Sequence, residues 1–278
     1  MPTLGRLRYL DALPGANARP RGTLLLIHGF PLNSRMWEGQ LEFAAARGWR
    51  VIAPDLGTSL VRLKADATSG NSGVRLQPDP TIDDYAAEVI DLLDGLHIEG
   101  AVVGGVSMGG YVTFAVCRHA ARYVRGLILA DTRSQADTPE GVEGRKKMLQ
   151  LLKDQGPAAI ADQMIPKLIG ETSRRTRPGV ADQLRAIIMA NSAEVIGGAI
   201  NALMTRPDAT PLLASIHVPT LVVVGAEDAL TPPSMAEDLH REIAGSQLEV
   251  IAGAGHMPNM ERPDAFNEAL ASFLDHRV

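Results

Sequence analysis

One octapeptide constrains this chain more than any other stretch: Val103-Gly104-Gly105-Val106-Ser107-Met108-Gly109-Gly110. Residues 101–103 form a short apolar run bounded by glycine, which reads as a buried strand. Past Ser107 the period changes, and Val112, Ala115, Val116 and His119 fall on one helical stripe. Gly105-x-Ser107-x-Gly109 therefore sits where a strand turns sharply into a helix. A serine at such an elbow is held in a strained backbone conformation, between small neighbours that let strand and helix approach. Its hydroxyl stands above the sheet edge, and the helix N-terminus beneath it favours developing negative charge.

Such an elbow needs a parallel sheet around it, and the flanking sequence supplies one. Residues 4–10 alternate loosely and end in a segment rich in proline and glycine, which suggests a hairpin at a sheet edge. The run at 23–27 is continuously apolar, typical of a strand covered on both faces, and stops at His28-Gly29-Phe30-Pro31. Asn33 or Ser34 is placed to cap a helix carrying Trp37, Leu41 and Ala44. The strand at 51–53 breaks at Pro54-Asp55, and residues 56–80 then form a long loop rich in Gly, Ser and Asp, a length usually reserved for function or mobility. Thr81-Ile82-Asp83-Asp84 is a capping-box pattern ahead of a helix that stops at Gly95.

Beyond the elbow helix, residues 126–130 read as another covered strand ending at Asp131. From Thr138-Pro139 the texture turns helical for about 70 residues, to the region 207–211, with no strand-like run between. Strands resume at 220–224 and 248–251, with Thr231-Pro232 placed to cap the helix between them and a closing helix after them. Strands alternating with helices predict a mostly parallel sheet covered on both faces, with functional groups gathered at the strand C-terminal ends. The expected organisation is a core of residues 1–134 and 208–278 with a helical cap at 135–207.

Composition narrows the class of partner. The net charge of −5 leaves no basic surplus to neutralise phosphates, so no nucleic-acid partner is expected. The single cysteine, Cys117, excludes an internal disulfide, gives no metal-ligand cluster, and reads as a small buried hydrophobe. The first 13 residues lack a long apolar core, and no stretch approaches the roughly 18 apolar residues of a membrane span. A soluble, cytoplasmic protein without membrane, metal or cofactor is the expectation, its oligomeric state left open.

Three polar residues follow three strands: Ser107, Asp228 and His256. In a parallel sheet those strand ends share one edge, so residues distant in sequence can meet. Serine is a weak nucleophile that needs a base within hydrogen-bond reach, and the base needs an acid to hold its tautomer and stabilise the imidazolium. The chain order Ser, Asp, His suits that arrangement. The glycines of Gly253-x-Gly255-His256 leave room for a mobile turn. Asp131 also ends a strand and rivals Asp228. Asp228 is favoured because Gly225-x-x-Asp228-x-x-Thr231-Pro232 sets it in a short loop before a helix, and Asp131 is expected to pair with Arg133 or to brace the cap entry. His28 reads as a brace for the neighbouring loop, and the oxyanion donors are expected to be the backbone N–H groups of Phe30 and Met108, Pro31 having none.

His28-Gly-Phe-Pro31, Gly105-Val-Ser-Met-Gly109, residues 225–233 and Gly255-His-Met-Pro258 together resemble the α/β-hydrolase family with a small helical cap. The subgroup resembled is that of cofactor-free carboxylesterases and 3-oxoadipate enol-lactonase-like enzymes. The resemblance runs from about residue 23 to the C-terminus. It implies an eight-stranded, mostly parallel sheet, a cap inserted after the sixth strand, and hydrolysis through an acyl-enzyme. Residues 56–80 depart from the compact Gly-x-Gly-x-Ser loop usual after Pro-Asp in this family.

The leading expectation is a serine hydrolase acting on carboxylic esters of small to medium acyl groups, the cap offering Met148, Leu152, Met164, Leu168, Met189 and Met204 as an aliphatic inner face. A lactonase is the nearest alternative, and an anionic lactone would need a cation such as Arg133, Arg174, Arg175 or Arg206. Perhydrolysis of the cofactor-free haloperoxidase type is a third. A ligand receptor on a hydrolase scaffold is the non-enzymatic alternative, against which the intact Ser107, Asp228 and His256 argue.

Overall fold

A computed structural model describes residues 1–15, 19–60 and 79–278 of the protein. Eight strands form one sheet: β1 (Thr3–Leu4), β2 (Leu7–Ala12), β3 (Gly22–Ile27), β4 (Trp49–Pro54), β5 (Ala101–Val106), β6 (Val124–Ala130), β7 (Thr220–Gly225) and β8 (Gln247–Ile251). Their order across the sheet is β1-β2-β4-β3-β5-β6-β7-β8. The β1–β2 hairpin is antiparallel and joins β4 antiparallel at one edge, while the pairs from β4 to β8 run parallel. Every residue of β5 and β7 is buried, as their unbroken apolar sequences require of strands covered on both faces. The edge strand β8 instead exposes Glu249 and Val250.

Helices cover both faces of the sheet. A 3₁₀ turn at Ser34–Trp37 leads into α1 (Glu38–Ala46), and Asn33 Oδ1 accepts the Arg35 N–H at its start. The Thr81 capping box opens α2 (Ile82–Gly95), and the elbow opens α3 (Met108–Ala120). Cys117 lies half-buried on α3, where burial pushes its thiol up to about 12. Of the loop at 56–80, residues 61–78 lie outside the described residues.

Between β6 and β7 the chain builds α4 (Pro139–Leu168), α5 (Glu171–Thr176), α6 (Gly179–Met189), α7 (Ala193–Met204) and α8 (Thr210–Leu213). Thr138 caps α4 through the Gly141 N–H, with Pro139 at the first helical position. At Gly156-Pro157 the helix bends: Gly156 takes φ 77° and ψ −173°, and Pro157 has no amide hydrogen to give. Met148, Leu152, Met164 and Leu168 are buried as expected of an inner face, but Met189 ends α6 pointing outward, 48% exposed. Among the described residues no single helix is long and apolar enough to cross a membrane.

After β7 come α9 (Pro233–Glu242), β8, α10 (Pro258–Glu261) and α11 (Pro263–His276). Thr231 does not cap α9, whose start carries no side-chain cap; its hydroxyl is drawn away to Asp228.

Candidate active site

Ser107 takes φ 55° and ψ −113°, a conformation side chains rarely adopt. The surrounding packing enforces it. A Cβ on Gly105 would lie 2.3 Å from the Gly109 carbonyl carbon, and one on Gly109 would lie 2.2 Å from the Ile27 oxygen. Only glycine lets β5, α3 and the end of β3 meet this closely. The Ser107 N–H donates to Ala130 O at 2.9 Å, and the Thr132 hydroxyl donates to Ser107 O at 2.9 Å, so the elbow is tied to the end of β6. Met108 opens α3, in the turn whose amides have no intrahelical partner.

His256 and Asp228 come from the loops after β8 and β7. His256 Nδ1 lies 2.7 Å from Asp228 Oδ2, and the pair is almost wholly buried. Asp228 Oδ2 also accepts the Thr231 hydroxyl at 2.6 Å, while Oδ1 accepts the Leu230 and Thr231 N–H groups at 2.8 and 3.2 Å. Burial works to raise this carboxyl, but the charge and hydrogen bond of His256 and the Thr231 bonds outweigh it and hold it below the usual aspartate range. It stays an anion, and its bond leaves Nε2 of the imidazole available for proton transfer. Ser107 and His256 line one cavity of about 80 Å³ with Phe30, Tyr111, Arg133, Arg145, Met164, Leu203, Leu230 and Thr231. A larger cavity of about 680 Å³, between α2, α4 and α7, contains none of Ser107, Asp228 and His256 among its lining residues.

The His256 loop is not the loose turn its glycines suggest. A Cβ on Gly225 would lie 1.9 Å from Gly255 O, and one on Gly255 would lie 2.2 Å from Gly170 N. Here glycine serves close packing of the two loops against Gly170, the residue just before α5. Glu261, fully buried on α10, accepts the N–H groups of Gly255 and Met257 through Oε1 at 2.9 and 3.1 Å, and that of Gly170 through Oε2 at 2.9 Å. One carboxylate thereby clamps both sides of His256 and ties them to the helical insert. Sequence reasoning missed Glu261, and a glutamate five residues past a histidine carries no signal that would have found it.

Asp131 does not pair with Arg133. Its Oδ1 accepts the Gly225 N–H at 2.9 Å, bracing the end of β7, and its carboxyl clusters with Asp228 and His256. Burial, and then repulsion from Asp228, push its carboxyl well above the usual range, the opposite direction from its neighbour Asp228. Arg133 instead binds Asp137.

His28 braces the loop that carries Phe30. Its Nε2 accepts the Leu56 N–H at 3.1 Å, which leaves Nδ1 to carry the hydrogen donated to Gly29 O at 3.1 Å. Burial lowers its tendency to protonate. The other side of this loop is held from the helical insert, where Asn191 Nδ2 donates to Pro31 O and Leu32 O at 2.9 and 3.1 Å. Asn33 returns a bond to Asn191 Oδ1 at 3.1 Å. Of the four arginines singled out as candidate anchors, Arg174 and Arg175 are exposed on α5, away from the cavity; Arg133 lines it, and Arg206 is buried beside it against Tyr111.

The chain is similar to known proteins over most of its length. The protein is similar to a thermophilic esterase from Thermogutta terrifontis solved with malate bound, at 37% identity and a TM-score of 0.84, over 97% of this chain and 93% of that one. It is similar to a hydrolase from Pseudomonas aeruginosa PA01, at 27% identity and a TM-score of 0.79, over 96% of this chain and 94% of that one. 3-oxoadipate enol-lactonase 2 of Acinetobacter baylyi is 28% identical, over 91% of this chain and 89% of its own length. The model of the alpha/beta hydrolase family matches residues 24–269. With its eight-stranded, mostly parallel sheet and flanking helices, the chain belongs to the alpha/beta hydrolase family.

Proposed function

We propose that the protein is a serine hydrolase that cleaves carboxylic esters of small to medium acyl groups through an acyl-enzyme on Ser107. The observation that carries the reading is the 2.7 Å bond from His256 to a charged Asp228, with the imidazole and the strained Ser107 facing one cavity. Residues 135–207 act as the cap over a core of residues 1–134 and 208–278.

In the first half-reaction Ser107 Oγ attacks the ester carbonyl while His256 Nε2 takes its proton. Asp228 holds the other ring nitrogen, Nδ1, and stabilises the imidazolium. The carbonyl oxygen becomes an oxyanion facing the Phe30 and Met108 N–H groups, donors of a kind that contribute roughly 10²–10³ in rate each. Collapse of the intermediate breaks the ester C–O bond, and the imidazolium returns its proton to the leaving alcohol. Water then attacks the acyl-enzyme, losing its proton to His256, and the acid departs as Ser107 is restored. A lactone would open by the same steps with its alcohol still tethered, and the similarity to an enol-lactonase supports that second reading.

Met164, Leu203 and Leu230 give the cavity an aliphatic side, and its small volume favours short acyl chains. A panel of acyl esters of increasing chain length plus simple lactones tests the reading. Hydrolysis confined to long-chain emulsified lipids would contradict it.

A further inference from the structure

Three arginines converge on one carboxylate, Asp137, and two of them line the cavity of Ser107. Asp137 Oδ1 receives Arg133 Nη2 at 2.7 Å and Arg206 Nη1 at 2.8 Å, and its Oδ2 receives Arg145 Nε at 3.3 Å. Asp137 is 3% exposed, Arg206 2%, and Arg133 and Arg145 21% each. Guanidinium groups do not deprotonate in proteins, so the cluster keeps two positive charges that Asp137 cannot cancel. Burying unmatched charge is costly.

The excess charge is turned toward the cavity. Arg133 and Arg145 both line it with Ser107 and His256. Arg206 stays behind them, its two terminal nitrogens given to Asp137, Leu203 O and Gln135 O, with its guanidinium 4.2 Å from the Tyr111 ring centroid. The Arg145 guanidinium lies 5.8 Å from the ring centroid of Phe30, the residue beside the expected oxyanion position. Arg133 Nε is buried without a hydrogen-bond partner among the described residues. Arg133 and Arg145 are thus preorganised by Asp137 and by an aromatic face, with donors left over.

We infer that this cluster is a subsite for a carboxylate carried by the substrate, so that the preferred substrates are anionic esters. Paired guanidinium donors suit a carboxylate, which can accept them two at a time. The carboxylate sits on either of two parts of such an ester: on the acyl group, as in a monoester of a dicarboxylic acid, or on the alcohol, as in the ester of a hydroxy acid. The inference rests on the hydrolase reading of Ser107.

The test compares kcat/KM for methyl hydrogen glutarate with that for methyl pentanoate, a neutral ester of equal chain length. A parallel pair carries the carboxylate on the alcohol side: the butyrate ester of glycolic acid against ethyl butyrate. Wild-type protein at low ionic strength favours the anionic member of at least one pair by about 10-fold or more, the pair identifying the side. Arg145→Gln lowers that ratio by about 10-fold, through KM more than kcat, and Arg145→Lys restores part of it. Salt diminishes the preference in the wild type. Equal rates within both pairs, or a ratio unchanged in a folded Arg145→Gln protein, overturn the subsite while neutral-ester turnover leaves the hydrolase reading standing. Absence of any ester turnover together with failure of a fluorophosphonate to label Ser107 overturns both.

Discussion

The Thr231 hydroxyl and the His256 imidazole share one oxygen of Asp228, at 2.6 and 2.7 Å. The Thr231 hydroxyl therefore holds the acid from one side as the ring does from the other, and lies 3.3 Å from Nδ1 itself. Thr231→Val removes the donor at nearly constant volume. A bond to a charged group is worth about 1.5–3 kcal/mol, so kcat for ester hydrolysis should fall about 10-fold or more, with Thr231→Ser recovering most of it. Wild-type kcat in the valine variant would show that the acid needs no such support.

Asp228 and Asp131 stand side by side with their carboxyls shifted in opposite directions, and amide substitution separates them. Asp228→Asn should lower kcat by up to about 10⁴, the cost of the wrong histidine tautomer. Asp131→Asn should keep most activity and change the pH dependence of stability. Because the folded Asp131 carboxyl is raised, the native state holds a proton that the unfolded chain has lost above about pH 4. Wild-type stability from this group is therefore full below that pH and declines as pH rises toward the folded value. The asparagine variant escapes the decline, so urea unfolding should move in its favour between pH 4 and 7. A constant difference between the two proteins would count against a neutral Asp131.

The buried His28 gives the opposite slope. Its folded pKa is lowered by burial, so the unfolded chain binds the extra proton below about pH 6.5. The contribution is fully present above that pH and is lost as pH falls beneath it, since a protonated Nε2 cannot accept the Leu56 N–H. Thermal unfolding of the wild type between pH 7.5 and 5.5 should show this loss, and His28→Gln should flatten it. An equal slope in both proteins would assign the acid lability elsewhere.

What could be read from the chain before folding follows the reach of each signal. The elbow is local: Gly105, Ser107 and Gly109 announce it because a change of period surrounds them. Asp228 and His256 could be brought together because each follows an apolar strand, and parallel strands share an edge. Asn191 left no such trace, since its bonds to Pro31 and Leu32 cross some 160 residues and any polar residue between two helices looks like a turn. Arg145 carried no signal of its own, since a charge on a helix is ordinarily solvated, and only the fold sets it with Arg133 and Arg206 on Asp137. Arg174 and Arg175 were equally eligible by composition, yet α5 turns them outward. Gly255 was legible as a turn residue, but its purpose, contact with Gly170, depends on a helix more than 80 residues earlier.

The central claim is that Ser107 is the nucleophile, and active-site labelling tests it most directly. A fluorophosphonate should modify the protein stoichiometrically, with peptide mass analysis placing the adduct on Ser107. Ser107→Ala should abolish both the adduct and ester turnover while circular dichroism stays that of the wild type. An adduct on a different serine, or ester hydrolysis persisting in the alanine variant, would contradict the account.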